Sequence, residues 1–374
     1  MVRLTSVRRG NLAGNQAEDA MSYEHKQPST ISDVARLSGV SKRTVSRVIN
    51  NSPMVRKATR EKVQSVIDEL SYRPNVQARG LAARRSYLVG MIYDNRDPLY
   101  TDEAQRGALS VCGELGYELV IHPCDRSSDS LTREALGFVD RSNLDGVIVL
   151  PPVSENNDLA GVFGDAQIPY VRLASIGLDT ADRVVIANER SAVAAMADYL
   201  VNLGHRNIGY IMGPEGRKST RERLEGFCDA LQKHGCALRE EMITRGAYTF
   251  ESGIACARTL LEMSEPPTAI FASNDEMAAG VIYTAQEMGV KVPGDLSVAG
   301  FDDSNLATRI RPSLTTIRRP VREMARLATT KLIASIDGRV DEARVGIFLD
   351  PVLIIRDSTR SIQWWREETP PPQR

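Results

Sequence analysis

Residues 30–50 read TISDVARLSGVSKRTVSRVIN, and this stretch decides how the amino-terminal part of the chain folds. Thr30 precedes Asp33 by three residues, a spacing that lets a threonine cap a helix while an acid occupies the first turn. Three apolar residues then share one helical face: Ile31, Val34 and Leu37. The stretch therefore predicts a helix of about two turns at its start.

A tight turn and a second helix follow. Gly39 can take the positive φ that such a turn requires, and Val40 can close the corner between the two helices. Ser41 is placed to cap the second helix, whose inward face carries Val45, Val48 and Ile49. Its outward face carries long donors and a hydroxyl: Lys42, Arg43, Ser46 and Arg47. Side chains of these types suit the base edges and phosphates of a DNA major groove.

A third helix, at about residues 57–70, repeats apolar residues on one face: Val63, Val66, Ile67 and Leu70. The three helices predict a helix-turn-helix domain over residues 29–73. The quoted stretch, followed by TREKV (59–63) and LSYRPNVQARGLA (70–82), resembles the whole DNA-binding headpiece of the lactose/galactose repressor family of transcription regulators.

The resemblance implies which residues of the headpiece touch double-stranded DNA. Lys42, Arg43 and Arg47 would meet base edges. Five further residues would position the phosphates: Thr30, Ser41, Thr44, Ser46 and Asn50. The chain is therefore expected to bind a specific DNA sequence.

Residues 74–86 are expected to form the hinge that follows the headpiece. Asn75 to Ala82 resembles the family's hinge, a short helix that forms when two subunits meet over the minor groove, with Asn75 and Leu81 on the DNA. A leucine wedged between base steps costs a few kcal/mol of unstacking and gains a bent operator. Gly80 lies inside this helix and costs about 1 kcal/mol relative to alanine, so we expect the hinge to order less readily. A flexible basic linker is the alternative.

From Tyr87 onward, short apolar runs alternate with amphipathic stretches, beginning with a strand, a helix near residues 103–115 and a second strand. The predicted strands are residues 87–93, 117–122, 146–150, 169–173, 207–212, 268–272 and 296–301. This alternation predicts an α/β fold of doubly wound parallel sheets covered on both faces, and the length requires two sheets.

Polar residues follow three of the predicted strands: Asp94 with Asn95, Asn274 with Asp275, and Asp302 with Asp303. Open parallel sheets bind ligands in the crevice beyond the carboxyl ends of their strands, so these residues are candidates for a ligand site. An acid or amide after a strand can equally cap the next helix, and that alternative stays open for each pair.

The resemblance extends through this part and covers nearly all of residues 29–357. Five segments resemble the family's two-lobed effector domain, which is similar to periplasmic sugar-binding proteins: LGHRNIGYIMG (203–213), RERLEGF (221–227), AIFASNDEMAAG (269–280), VPGDLSVAGFDD (292–303) and PSLTTI (312–317). One lobe would comprise about residues 87–187 with 318–348, and the other 188–317 with 349–357.

The resemblance also implies an effector site. Arg223, Asn274 and Asp302 would be its polar ligands, with Tyr248 as a stacking aromatic and Tyr100 as a further candidate from the other lobe. Planar bidentate groups of this kind can hold the vicinal hydroxyls of a sugar in a cleft of low water content.

The chain departs from the family at two positions, and this leaves the ligand's identity open. Ala174 and Ala187 occupy positions where many relatives carry an acid. A basic cluster would also suit a phosphorylated or acidic ligand: Arg217, Lys218, Arg221 and Arg223. A solvated helix start is the alternative for the first three of these residues.

Charge is divided unevenly along the 374 residues, although the formal net charge is only −1. Residues 29–85 carry twelve Lys and Arg against four Asp and Glu, whereas residues 86–374 have a net charge of −10. One end therefore suits a polyanion, and the remainder would repel it.

The composition argues against several other classes of protein. The five cysteines form no C-x-x-C pair and the four histidines are scattered, so the sequence predicts no disulfide framework, no metal site and no cofactor. No apolar run reaches the roughly 18 residues of a membrane helix. The first residues contain arginines but lack the apolar segment of a secretory signal peptide, so the protein is expected in the cytoplasm. Residues 1–28 are expected to be a disordered leader, with Met21 as an alternative start.

An enzyme is not expected, because the sequence has no glycine-rich phosphate loop and no G-x-S-x-G. A free sugar-binding transport protein would lack the headpiece.

The sequence predicts a repressor that a small carbohydrate effector releases from a palindromic operator. The alternative is a regulator of the same family controlled by a protein corepressor or a non-sugar corepressor. Residues 358–374 read as a tail without the leucine heptad through which the family can tetramerise, so a homodimer is expected.

Overall fold

The computed structural model describes residues 29–49, 52–70, 72, 85–94 and 98–362. The chain divides into two compact units between residues 79 and 80. Several features that the sequence predicted lie outside the described residues: the leader, Asn50, the hinge residues Asn75, Gly80 and Leu81, Asn95, and the tail from residue 363.

The described part of the first unit contains three helices, α1 (Ile31–Ser38), α2 (Lys42–Ile49) and α3 (Lys57–Glu69). Thr30 caps α1 in a reciprocal arrangement, since its hydroxyl accepts from the Asp33 backbone N–H and the Asp33 carboxylate accepts from the Thr30 N–H. Gly39 ends α1 with a φ of 66°, in the left-handed region where a glycine is not strained. These local features are the ones that the sequence predicted.

The core of the first unit is a small apolar cluster built from all three helices: Val34, Val45, Val48, Val63 and Tyr72. Of the three apolar residues that were predicted to share one face of α1, Leu37 lies outside this core, because its side chain is 48% exposed. Ser38 takes the inward position instead, and its hydroxyl donates to the Val34 carbonyl at 2.6 Å. A buried hydroxyl that is satisfied by its own helix can replace an apolar side chain at the edge of a core.

The second unit contains twelve strands within the described ranges. They are β1 (Leu88–Tyr93), β2 (Glu118–Pro123), β3 (Gly146–Val149), β4 (Tyr170–Ala174), β5 (Val184–Ala187), β6 (Ile208–Met212), β7 (Ile243–Arg245), β8 (Ala269–Ala272), β9 (Ser297–Asp302), β10 (Thr315–Arg318), β11 (Ile347–Leu349) and β12 (Val352–Ile354). They form two six-stranded sheets with the orders β11-β5-β4-β3-β1-β2 and β12-β10-β9-β8-β6-β7.

Ten helices of this unit cover the sheets. They are α4 (Pro98–Leu115), α5 (Leu131–Ser142), α6 (Asn157–Asp165), α7 (Glu189–Asn202), α8 (Lys218–Lys233), α9 (Phe250–Leu261), α10 (Asp275–Glu287), α11 (Asn305–Arg309), α12 (Val321–Ile336) and α13 (Val340–Ala343), with 3-10 turns at Val153–Glu155 and Glu240–Met242. Among the described helices none is long and apolar enough to cross a lipid bilayer.

The predicted α/β fold with two doubly wound sheets is confirmed, with one correction: β12 pairs with β10 in the antiparallel direction, while the other pairings are parallel. All seven predicted strands are present. The strands that the sequence did not predict are β5, β7, β10, β11 and β12, each of three or four residues. Runs of this length are too short to establish a pattern.

The two sheets belong to two lobes of the second unit, and the chain crosses between them three times. The crossings join β5 to α7, β10 to α12, and β11 to β12. Because the strands other than β12 run parallel, the carboxyl ends of β1 and β3 in one lobe, and of β6, β8 and β9 in the other, lie at the same edge of their respective sheets. This edge is the place where a ligand cleft is expected.

Candidate DNA-binding face and ligand cleft

The outer face of α2 is the candidate DNA-binding face of the first unit. Lys42 and Arg43 are exposed, Ser46 and Arg47 are half-buried, and the opposite face of the helix packs into the core. Helical spacing places these four side chains on one side. They therefore form a continuous basic strip that could enter a major groove.

The hydroxyl groups beside this strip also serve as helix caps. Ser41 Oγ accepts from the Thr44 backbone N–H at 3.1 Å and lies 2.9 Å from Thr44 Oγ1. Thr30 Oγ1 donates to the Asp33 carboxylate at 2.7 Å. A hydroxyl has one donor and two acceptor positions, so the capping role of these residues fixes their orientation next to the basic strip.

Among the described residues, the basic side chains of the strip form no ion pair with an acid. In the part of the first unit that the structure describes, the two ion pairs are Arg36 with Asp33 and Lys57 with Glu61. Arg60 has a different role, because its guanidinium donates to the Ser52 carbonyl at 2.6 Å and ties α3 to the end of α2. The sequence did not single out Arg60, since its function depends on the packing of two helices.

A cleft of about 320 Å³ lies between the two lobes of the second unit. All five side chains that the sequence assigned to the effector site line it: Tyr100, Arg223, Tyr248, Asn274 and Asp302. Further lining comes from Pro98, Pro151, Pro152, Arg217, Ser219, Ala247, Thr249, Phe250, Glu251, Glu276 and Arg319. The sequence motifs therefore converge on one concave site of the size that suits a small ligand.

Arg223 is the most firmly held of these residues. Its side chain projects from the first part of α8, is only 3% exposed and stacks 3.8 Å from the centre of the Phe301 ring. Nε donates to Glu189 Oε2 at 2.7 Å and Nη1 donates to the Ser273 carbonyl at 2.8 Å. These contacts fix the guanidinium plane before any ligand arrives.

Glu189 and Arg319 complete this charge network, and sequence reasoning missed both. Glu189 accepts from Arg223 and from Arg319 Nη1, the latter at 3.3 Å. Burial alone would favour the neutral acid, but the two arginines outweigh it and hold the pKa of Glu189 below its usual value. The residues lie where the chain crosses between lobes, so their proximity depends on the tertiary fold.

Asp302 stands at the end of β9 and faces Arg319. Its Oδ1 lies 3.4 Å from Arg319 Nε, its side chain is 22% exposed, and its φ of 115° is a strained conformation. Asp303 has a structural role, because its carboxylate pairs with Arg318 and Arg356, each at 2.6 Å. Of this predicted pair of acids, only Asp302 lines the main cleft.

Asn274 is both a helix cap and a residue of the cleft, which were the two alternatives that the sequence left open. It caps α10, since Oδ1 accepts from the Met277 N–H at 3.0 Å, and its Nδ2 donates to the Tyr248 carbonyl at 3.1 Å. An amide has two donors and two acceptor positions, so the side chain retains capacity for a ligand. Its neighbour Asp275 is buried and structural: burial raises the pKa of that carboxyl to about 8, and it accepts from Thr316 at 2.6 Å.

Two tyrosines line the cleft from opposite lobes. Tyr248 has a φ of 62°, and its hydroxyl lies 3.2 Å from Thr220 Oγ1. Tyr100 lies in the first turn of α4, because this helix begins at Pro98 and not near residue 103 as predicted. Arg319 stacks 4.6 Å from the centre of the Tyr100 ring, and burial raises the pKa of that tyrosine to about 12.

The remaining candidates lie outside the cleft or at its edge. Ala174 and Ala187 are buried at the ends of β4 and β5 and do not line the cleft. Asp94 accepts from the Arg126 backbone N–H at 3.1 Å. Arg221, at 71% exposure, pairs with Glu225 on the solvent side of α8, which agrees with the solvated alternative for that residue. No cluster of side chains fit to hold a metal ion occurs in the described portion of the chain.

A helix-turn-helix unit with a basic strip on its second helix, followed by a two-lobed unit with a polar cleft, defines a DNA-binding protein with a ligand-binding domain. Family models match both parts: bacterial regulatory proteins of the lacI family over residues 30–75, and a periplasmic binding protein-like domain over residues 197–359.

Known proteins are similar over nearly the whole chain. The probable HTH-type transcriptional repressor ExuR of Bacillus subtilis (strain 168) is 32% identical over 342 residues, which span 89% of this chain and 99% of that protein. The lac repressor dimer bound to operator and the anti-inducer ONPF is 28% identical with a TM-score of 0.72, over 90% of this chain and 100% of the other. The transcriptional regulator CelR in complex with cellobiose is 29% identical with a TM-score of 0.66, over 88% and 99%.

The chain belongs to the lacI family of bacterial regulatory proteins. It is a transcriptional regulator with a DNA-binding helix-turn-helix domain, and its relatives are regulators and not enzymes.

Proposed function

We propose that the protein is a repressor that binds a near-palindromic operator as a homodimer and is released by a small carbohydrate. The observation that carries this proposal is the cleft, where Arg223, Asn274 and Asp302 meet the ring of Tyr248. A carboxylate, a guanidinium and an amide can exchange hydrogen bonds with vicinal hydroxyls, and an aromatic face covers the apolar side of a sugar ring. The similarity to a regulator solved with cellobiose supports the same class of ligand.

The charge network links the cleft to the segments that join the two lobes. Glu189 and Arg319 lie on two of the three crossings between the lobes, and Arg319 also contacts Asp302 and Tyr100 in the cleft. A ligand bound there touches both lobes and the segments that join them. It can therefore favour one arrangement of the lobes over another, which is the requirement for shifting the DNA-binding equilibrium.

Dimerisation is supported by apolar side chains that remain exposed on the second unit. They occur in both lobes: Leu109, Leu115 and Ile121 in the first, and Tyr283 and Met288 in the second. We infer that these side chains contribute to an interface between two copies of the chain. Two helix-turn-helix units related by a two-fold axis read two half-sites, so footprinting is expected to show protection about a common centre.

Thermal denaturation of the full chain with a panel of small molecules tests the ligand. At least one carbohydrate is expected to raise Tm, because a ligand at a hundred times its Kd stabilises the folded state by about 2.7 kcal/mol. Asp302→Ala is expected to abolish this shift, and Asp198→Ala, which removes an acid of α7 that pairs with His234 outside the cleft, is expected to retain it. Stabilisation by a purine base or by a partner protein, with no response to any carbohydrate, would contradict the proposal in favour of a corepressor.

A further inference from the structure

Arg217 is a cleft residue whose charge the described structure does not balance. It immediately precedes α8, its guanidinium stacks 5.1 Å from the centre of the Tyr248 ring, and it lines the cleft. Its Nε is buried and has no hydrogen-bond partner among the described residues. Burial lowers the pKa of Arg217 from its usual value, although Tyr248, Glu155 and Asp94 favour its charge.

The other charges of the cleft are already matched to one another. Arg223 and Arg319 share Glu189, and Arg319 also meets Asp302. The remaining acids that line the cleft, Glu251 and Glu276, are exposed. Arg217 is therefore an additional cation in a cleft where Arg223, Arg319, Glu189 and Asp302 already pair with one another.

The charged groups around Arg217 have other partners. The Glu155 carboxylate, from the opposite lobe, accepts from the backbone N–H groups of Lys218 at 2.6 Å and of Ser219 at 3.1 Å. Asp94 accepts from the backbone of Arg126. The Arg126 side chain is a further cation on this side, and it disfavours the charge of Arg217.

We propose that the cleft is built for an anionic carbohydrate, a sugar carboxylate or a sugar phosphate, whose negative group binds Arg217 beside Tyr248. This inference rests on the proposed function and specifies its ligand. The sugar hydroxyls meet Asp302, Asn274 and Arg223, and the anionic end lies at the start of α8. A guanidinium forms paired, charge-assisted hydrogen bonds with carboxylate or phosphate oxygens.

The buried Nε of Arg217 has lost its hydration and has no hydrogen-bond partner among the described residues, which is unfavourable. A buried polar group without a hydrogen-bond partner is destabilising, and more so when it is charged. A neutral sugar would leave Nε of Arg217 in that state, whereas an anion satisfies the donor and the charge together. A site built around such a donor discriminates strongly against an analogue that lacks the matching group.

Titration calorimetry of the full chain with matched ligands tests the proposal. The probes are glucose, galactose and mannose, each compared with its uronic acid and its 6-phosphate. In at least one series, the acid or the phosphate is expected to bind at least tenfold more tightly than the neutral hexose. Comparing the affinities of the uronic acids with those of the 6-phosphates shows which anionic group the cleft binds.

Two arginine variants on the same segment provide the matched comparison. Arg217→Gln is expected to remove the tenfold preference for the anion while changing the affinity for the neutral hexose less than twofold. Arg221→Gln removes the same charge from the solvent side of α8 and is expected to leave every affinity unchanged. A preserved preference in Arg217→Gln would overturn the assignment of Arg217.

The outcomes separate this inference from the proposed function. If neutral hexoses bind as tightly as the acids and phosphates in every series, the anionic ligand is contradicted and a carbohydrate effector stands. If no member of any series binds, both the proposed function and this inference fail.

Discussion

At the scale of single residues, the second unit has a buried ion pair beside its cleft, whereas the first unit has exposed cations on α2. Arg223 and Glu189 are almost completely inaccessible and bind each other, whereas Lys42 and Arg43 are exposed. A buried pair fixes geometry, because neither charge can rotate away from its partner without a large desolvation cost. Exposed cations remain available for phosphates and base edges.

Replacing Arg43 or Arg47 by alanine is expected to weaken binding to the cognate operator by about 1–3 kcal/mol and to relax base preference at the contacted position. The reason is that a side chain on a base edge carries sequence information. Lys62→Ala removes the same charge from α3 and is expected to keep the base preference. Electrophoretic competition between operator and random DNA measures both effects, and an equal loss on both DNAs would contradict the assignment of base contacts.

His205 is expected to make the second unit less stable in acid. Its ring lies 2.9 Å from Thr268 Oγ1 and 3.0 Å from Ser297 Oγ, and burial lowers its pKa to about 4. The folded state therefore keeps the ring neutral while the unfolded chain binds a proton below about pH 6.5. Stability from this residue is present above that pH and is lost at up to about 1.4 kcal/mol per unit as pH falls toward 4.

Urea unfolding of wild type and His205→Gln at several pH values between about 7 and about 5 measures this effect. The advantage of wild type is expected to shrink as pH falls. The difference isolates the histidine because Asp275, whose pKa is raised to about 8, affects both proteins equally. A difference that does not change with pH would contradict this account of the histidine.

The sequence predicted the candidate cleft incompletely, for a reason visible in its residues. Asn274 and Asp302 follow recognisable strands, and Arg223 belongs to a motif, so all three could be proposed before the fold was known. Glu189 and Arg319 are 130 residues apart in the chain. Nothing in their local sequence indicates that they meet, because the contact is created by two separate crossings between the lobes.

At the scale of helices and strands, close packing of α4 on α12 positions Tyr100 beside Arg319. Gly107 is the point of contact: a Cβ at this position would lie 2.1 Å from the Arg322 carbonyl oxygen. No side chain fits there without moving one helix. The crossing of these helices therefore depends on a glycine that the sequence pattern did not single out.

Gly107→Ala is expected to destabilise the second unit by about 1–3 kcal/mol, the typical cost of overpacking. Gly113→Ala, on the same helix with nothing within 4 Å of the new Cβ, is expected to be neutral or to stabilise by up to about 1 kcal/mol, because alanine favours a helix. Thermal denaturation of the two variants compares them directly. Equal Tm values would show that the helices do not approach as closely as described.

The sequence predicted long elements better than short ones. β1 is a six-residue strand without a charged residue, β9 contains an uncharged run from Val298 to Phe301, and α1 carries its cap in the sequence. β11 and β12 are three-residue edge strands with exposed side chains such as Phe348 and Val352. The path of the chain between the lobes determines how these strands pair. Three residues are too few to show a periodicity from which such a strand could be predicted.

At the scale of the whole molecule, one chain contains both a DNA-binding unit and a ligand cleft. The charge division of the sequence agrees with this separation, since the basic residues concentrate in the first unit and the remainder is acidic. A ligand changes operator affinity only by its different affinity for two arrangements of the protein, with a coupling of about 1–3 kcal/mol. The central claim is therefore a thermodynamic link between cleft and operator.

Operator affinity measured by fluorescence anisotropy with and without the ligand found by calorimetry tests this link most directly. The account predicts that the ligand raises the operator Kd of wild type about 5- to 150-fold. It also predicts that Asp302→Ala binds the operator as wild type does but no longer responds to the ligand, while Asp198→Ala still responds. An operator Kd in wild type that is unchanged at saturating ligand, or a full response in Asp302→Ala, would contradict the account.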